Sequence, residues 1–356
     1  MAVLNEEQEM LRDMAREWST NESPVAAFRK LRDSDNTEGF DRDAWKTMAE
    51  MGWTGVIIPE DHGGSDFGWL SMGLVAEELA KTLAASPLTI STVASSAIIL
   101  GGSDEQKEKW LPRIASGEVI ATLAVDEGTR HDPSKIETSV TDGKLSGKKS
   151  FVPEADGADL IVVAATDGLY LVEKGDGVTL TKRHLVDQRS HADIAFDGAA
   201  ADKLAGGSDG LLDDVLDRAR ILTASEMLGM AQQVFDTTLD YLKQRVQFNQ
   251  VLASFQALQH RMADLFGDLA MMRSAVEGGL QALDSGFGVS RAATMAKAEA
   301  NRVLHKMASE GIQLHGGIGM TDEYDVGFFL KRARVLEARW GNSSYLKDRF
   351  ASLSGY

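Results

Sequence analysis

Four glycines fall within nine residues in the stretch Gly311-Ile312-Gln313-Leu314-His315-Gly316-Gly317-Ile318-Gly319-Met320-Thr321, at positions 311, 316, 317 and 319. Glycine lets backbone N–H groups come close to a ligand and accepts φ > 0 where a turn needs it. The stretch is therefore a candidate cradle for an anion such as a pyrophosphate. The same cluster also suits a tight turn between packed helices, and glycines alone do not choose between the two.

The whole composition narrows the chemistry further. A chain of 356 residues is long enough for a substantial core and two or three domains. A formal charge of −17 argues against nucleic acid or an anionic membrane surface as partner, since both need a basic face to displace counterions. Local basic clusters could still hold a phosphate. With no cysteine, disulfides, thiolate metal sites and cysteine nucleophiles are excluded. The start MAVLNEEQEMLRDMAREW is charged and helical, without the form of a signal peptide, and the apolar runs are too short to cross a bilayer. A soluble cytoplasmic protein is the expectation.

The elements that must position the glycine stretch follow from periodicity. Residues 290–310 read as a helix that Gly311 could end. Upstream, Met10, Leu11, Met14 and Trp18 form one face of a helix over 5–20, and Asp41 can cap a helix carrying Trp45, Met48 and Met51. Residues 69–82 and 88–100 read as further helices, the second internal because its residues are small and apolar. Ser103 opens a capping box with Gln106. From Val119 the period shortens to two, giving strands in VIATLAV, LSGKKSF, LIVVAA, LYLVE, VTLTK and ADIAF between Asp-Gly turns. Residues 204–210 are a flexible exit. Long helical stripes follow, Leu211 to Phe235 and Phe255 to Met272, and with 290–310 and 323–350 they make a four-helix bundle. The fold class is α+β: an N-terminal α-helical domain over 1–117, a small middle β-domain over 118–207 and a C-terminal four-helix bundle over 208–356.

Gln313 to Gly319, then Thr321, Glu323-Tyr324, Val326 and Arg332-Ala333-Arg334, resemble the C-terminal signature of the acyl-CoA dehydrogenase family, flavoenzymes that desaturate acyl-CoA thioesters. Met51-Gly52 running to Pro59-Glu60-Asp61-His62-Gly63-Gly64 is similar to the family's N-terminal Pro-Glu-x-x-Gly-Gly turn, and Gly102 to Glu118 is close to another of its signatures. Arg245-Val246-Gln247-Phe248-Asn249, with Phe255-Gln256 and Gln259, resembles its Arg-x-x-Phe-Gly…Phe-Gln-x-x-Gln helix. The resemblance implies FAD as cofactor, an acyl-CoA thioester as substrate and electron-transfer flavoprotein or a similar acceptor as partner. It implies that Arg245 pairs with the FAD pyrophosphate of a neighbouring subunit, a geometry that suits a guanidinium. Gln247, Phe248 and Gln256 would line the same adenosine diphosphate site, and Gln313, Gly316 and Gly317 would close it. Taken without the family, Arg245 also reads as a solvated arginine.

The chemistry itself needs an acceptor for the β hydride, which no side chain supplies, and a carboxylate base for the α proton. Here the pattern departs from the family. Its Thr-Glu-Pro and Gly-Ser-Asp motifs appear as Asp126-Glu127-Gly128 and Thr129-Arg130-His131-Asp132. The tryptophan and threonine that meet the flavin ring fall at Phe151 and Pro153, and proline has neither hydroxyl nor N–H. The glutamate of the family's Tyr-Glu-Gly-Thr turn falls at Trp340, and the alternative base position on the earlier helix at Val246. Neither side chain can take a proton. Glu337 or Glu226 could substitute, though each also reads as a surface or bundle charge. The expectation is a subunit of a two-gene dehydrogenase, α2β2 with a homologous base-carrying partner. The alternatives are a self-sufficient homotetramer with a displaced base and a non-catalytic scaffold or binding member of the fold.

Overall fold

The computed structural model describes residues 3–204, 206 and 210–356. Ala205, Gly207, Ser208 and Asp209, part of the expected flexible exit, lie outside the described residues. The chain divides into two compact units, one of Met1–Val25, Gly73–Ala84 and Thr223–Tyr356, the other of Ala26–Met72 and Ala85–Leu222.

In chain order the N-terminal helices are α1 (Glu6–Asn21), α2 (Val25–Arg32), α3 (Arg42–Glu50), α4 (Gly68–Lys81), α5 (Leu88–Gly101) and α6 (Asp104–Ala115). Two start where their capping chemistry says: Asp41 accepts from the Asp43 amide, and Ser103 and Gln106 make the reciprocal capping box. The buried side of α1 differs from expectation. Ala15, Trp18 and Ser19 are buried, whereas Met10 and Met14 are exposed, because the large end of the face is Trp18 and the methionines lie one step round from it. Helix α2 occupies part of what reads in sequence as loop. Helix α5 is buried along nearly its whole length, as its small apolar residues require.

Two four-stranded sheets make the β-region. One has the order β1 (Ala121–Ala124), β4 (Leu160–Ala165), β5 (Gly168–Glu173), β8 (Asp202–Lys203). The other runs β2 (Ser139–Thr141), β3 (Lys144–Pro153), β7 (His191–Ala200), β6 (Val178–Lys182). Only the β1–β4 pair among these is parallel. Leu145, Val152, Ile161, Val163, Val172, Ile194 and Phe196 share the core. The β3–β7 register shifts between Lys149 and Val152, and of the two residues within that irregularity Phe151 has φ +53°.

The C-terminal helices are α7 (Leu211–Gln244), α8 (Gln256–Ser285), α9 (Val289–His315), α10 (Val326–Ala338) and α11 (Ser343–Leu353), with the two-residue strands β9 (Val246–Gln247) and β10 (Gln250–Val251) between α7 and α8. Two expectations are corrected here. Gly311 does not end a helix; α9 continues to His315. Gly311 is buried in the helix because a Cβ there would lie 2.7 Å from Val234 Cγ1, so the glycine permits close packing rather than a turn. The expected single helix over 323–350 is broken at Arg339–Asn342, where Trp340 and Gly341 take positive φ. The methionines of the long stripes, Met227, Met230, Met262 and Met272, are core residues. Among the described residues no helix is long and apolar enough to cross a membrane.

Candidate functional site

Helix α9 ends at Gly316, whose φ of +65° only glycine adopts freely, and Gly316–Met320 form a 3₁₀ turn. A Cβ at Gly316 or Gly317 would meet nothing within 4 Å. Both, with Gln313, face open space. The last carbonyl of α9, at His315, has no partner within its own helix and accepts instead from the Tyr241 hydroxyl at 3.2 Å. The two rings stack with centroids 4.4 Å apart. Tyr241 lies one turn before Arg245, whose amide donates to the Tyr241 carbonyl at 2.8 Å. The tyrosine therefore ties the glycine turn to the arginine.

Beyond Arg245 the chain folds back as a tight hairpin, Gln247 pairing with Gln250 and Val246 with Val251. Its two central residues, Phe248 and Asn249, have φ +53° and +62°, the geometry of a type I′ turn. Asparagine tolerates that geometry and phenylalanine does not, yet Phe248 stands there and is 84% exposed. Its ring meets Phe255 edge-on at 6.2 Å. Phe255 precedes Gln256, which opens α8 and is exposed. The Leu252 amide returns to the Arg245 carbonyl. Arg245, Gln247, Phe248 and Gln256 thus share one local surface, and Tyr241 links Gln313, Gly316 and Gly317 to it.

The two base positions are elsewhere in character. Val246 is 53% exposed on the hairpin. Trp340 is buried, at φ +59°. Its turn is held from α9: the fully buried Lys297 donates to the Asn301 side chain at 2.6 Å and to the Leu336 carbonyl at 2.9 Å, and Asn301 Nδ2 reaches the Gly341 carbonyl at 3.3 Å. Glu337 faces His305 and Arg334, at 3.2 and 3.3 Å, and lines a 510 Å³ groove between α9 and α11 with Met295, Arg302, His305, Lys347 and Phe350. Glu226 lies 3.6 Å from Arg332.

In the other unit, residues 126–132 enter a buried ionic network that sequence reading missed. Asp126 meets His131 Nδ1 at 2.9 Å, Arg220 reaches His131 Nε2 at 3.5 Å, and Arg220 pairs with Asp217 at 2.7 Å, both fully buried. Beside them Lys149, also fully buried, meets Glu127 at 2.7 Å and the Val125 carbonyl at 2.9 Å. Burial works to raise the Glu127 pKa, but Lys149 and the Glu137 and Thr138 backbone amides outweigh it and bring it from 4.5 down to about 2. Burial also lowers the Lys149 pKa, against the pull of Glu127. The only sequence signal for these pairs was charge inside otherwise apolar periodicity, at Lys149 and Arg220.

Family models for the N-terminal and the C-terminal domain of acyl-CoA dehydrogenases match residues 5–118 and 210–352. The chain belongs to the acyl-CoA dehydrogenase family. It is 30% identical over 333 residues to acyl-CoA dehydrogenase IpdE2 of Mycolicibacterium smegmatis, covering 93% of each chain. To mitochondrial isovaleryl-CoA dehydrogenase of Pongo abelii it is 29% identical, over 96% of this chain and 86% of that one. Among solved structures it resembles a variant of the Tcur3481–Tcur3483 steroid ACAD, with TM-score 0.92, 28% identity and 98% of each chain covered. The electron transferring flavoprotein of Acidaminococcus fermentans gives TM-score 0.90 at 27% identity over 99% of each chain.

Acyl-CoA dehydrogenases are FAD-dependent oxidoreductases, so the two ends of a dinucleotide can be tried against this member. At the diphosphate end the residue types suit the group: Arg245 and Phe248 are exposed on the hairpin, and the open glycine turn is tied to the end of α7 through Tyr241. At the ring end Phe151 and Pro153 offer no side-chain donor. Pro153 is buried in the β3–β7 ladder opposite His191, and Asp126 and Glu127 are committed to His131 and Lys149.

Proposed function

We propose that this acyl-CoA dehydrogenase family member works as one subunit of a two-gene enzyme, α2β2, with a homologous subunit that carries the catalytic glutamate. Arg245, Gln247, Phe248, Gln256, Gln313, Gly316 and Gly317 form its cofactor-binding surface, directed at the adenosine diphosphate end of an FAD whose ring the homologous subunit holds. In this reading the functional divisions of the chain are 1–117, 118–207 and 208–356. The reaction is α,β-desaturation of an acyl-CoA thioester, for which bound FAD supplies the hydride acceptor. This chain's guanidinium would neutralise diphosphate charge, its glycine-turn amides would orient that group, and it would move no proton itself.

One observation carries the reading: at the position of the family's base stands an indole, buried in a turn fastened by Lys297 and Asn301. Glu337 and Glu226 are each directed at cations, so neither supports a displaced base. The two-part designation of the Tcur3481–Tcur3483 steroid ACAD supports a paired assembly and a bulky acyl group. An electron-transfer flavoprotein or a similar protein would be the acceptor, as the family resemblance implies.

The test is flavin content and turnover of the chain expressed alone and together with its homologous subunit. We expect little FAD and no dehydrogenase activity alone, and both on co-expression. Stoichiometric FAD with turnover by this chain alone overturns the proposal.

A further inference from the structure

We propose that Tyr241 and His315 are positioning residues for the diphosphate surface, a stacked pair that sets where Arg245 stands relative to the Gly316–Gly317 turn. The inference rests on the reading of that surface as an FAD diphosphate site. Three observations carry it. The Tyr241 hydroxyl satisfies the terminal carbonyl of α9, immediately before the glycines, and Tyr241 is itself one helical turn from Arg245. His315 is buried between two phenol rings, with centroid distances of 4.4 Å to Tyr241 and 4.7 Å to Tyr324. Its Nδ1 lies 2.6 Å from the Gly311 carbonyl, so that nitrogen carries the proton, while Nε2 meets no hydrogen-bonding partner among the described residues.

An imidazole in such a place has a specific consequence. Burial lowers the His315 pKa although the Gly311 carbonyl pulls the other way, and a second N–H on the ring would find no acceptor. Burial and the lack of a partner at Nε2 favour the neutral ring, with Gly311 fixing its tautomer. A neutral ring of fixed orientation is a rigid spacer between α7 and the end of α9, and the Tyr241 bond adds the one direction that stacking leaves free. A merely apolar contact at 315 would fill the same space without fixing the tilt of the turn. The pair touches no ligand; it acts through Arg245 and the glycine amides.

The complex co-expressed with its homologous subunit is stripped of FAD and retitrated with FAD by flavin fluorescence, with ADP as competitor, for the wild type, Arg245→Ala, Tyr241→Phe, His315→Phe and the Tyr241→Phe/Arg245→Ala double variant. Tyr241→Phe keeps the ring and removes the hydroxyl; we expect about 3- to 10-fold weaker binding of both ligands, the range of one hydrogen bond. His315→Phe should weaken binding by a comparable factor. The double variant should lose less than the product of the two single losses, because part of the tyrosine's effect runs through the arginine. Losses that multiply in the double variant, or full affinity in Tyr241→Phe beside a weakened Arg245→Ala, overturn the positioning role alone. Full affinity in Arg245→Ala overturns the reading of the surface, and the positioning role with it.

Discussion

Arg220 lies within α7 and Arg245 just past its end, and the two guanidiniums live in opposite environments. Arg220 has no solvent exposure and is held by Asp217 and His131. Arg245 is exposed on the hairpin that carries the exposed Phe248, one helical turn past the tyrosine that holds the open glycine turn. A buried charge with its counter-charge in place contributes to holding one conformation; an exposed charge without such a neighbour contributes little to the fold and is available to a ligand. One residue type thus serves two ends, and burial distinguishes them.

The largest effect should come from breaking the buried member. Arg220→Ala removes the cation from a fully buried aspartate and should cost about 3–5 kcal/mol, read from urea denaturation of the full chain. Replacing both partners, Asp217→Leu with Arg220→Met, should cost far less because no charge is then left buried. Equal losses in the two variants would mean that packing, not charge, holds this part of α7. Arg245→Ala should do the reverse. We expect an unchanged melting temperature for the flavin-free chain and about 10- to 100-fold weaker FAD binding in the complex, the range of a charge-assisted contact. A fall in melting temperature without loss of affinity would make Arg245 a structural residue like Arg220.

Acid sharpens the same contrast. Glu127 is held at a pKa of about 2 against an ordinary 4.5. Its contribution to stability is therefore full above pH 4.5 and is lost as pH falls from there toward 2. Denaturation midpoints measured from pH 6 to 3 should fall more steeply for the wild type than for Glu127→Gln. Parallel curves would show that Lys149 and the two backbone amides do not favour the charged form.

How much of this could be read from the chain depended on whether the signal was periodic. The capping box at Ser103–Gln106, the buried α5 and the six main strands each repeat a local rule, and local rules survive folding. Periodicity alone misplaces the helix end at Gly311 and runs a helix through Trp340, although the resemblance puts a turn at Arg339–Asn342, because tertiary packing decides both places. At 311 the neighbouring Val234 demands a glycine inside a helix, and at 340 the turn is fastened by Lys297 and Asn301 from α9. The surface residues Arg245, Phe248, Gln313 and Gly316 were legible as a motif. The Tyr241–His315 stack that links them was not, since the two residues are distant in sequence and ordinary in type. The Asp126–His131–Arg220–Asp217 network was hidden for the same reason.

The smallest expected effect tests whether the exposed region holds strain that the buried one does not. Phe248 combines φ +53° with almost full exposure, so little packing offsets a backbone conformation that costs a side-chain-bearing residue roughly 1–2 kcal/mol. Phe248→Gly removes the steric cost, loses an edge contact with Phe255 and adds chain entropy to the unfolded state. The balance should favour the flavin-free variant by about 0.5 kcal/mol, while FAD binding in the complex weakens because the ring is gone. Gain in stability with loss of affinity is the signature of strain kept for a ligand. Loss of both would make the Phe248–Phe255 contact a fastening of the hairpin, and the division between the buried Arg220 and the exposed Arg245 would then stop short of the hairpin tip.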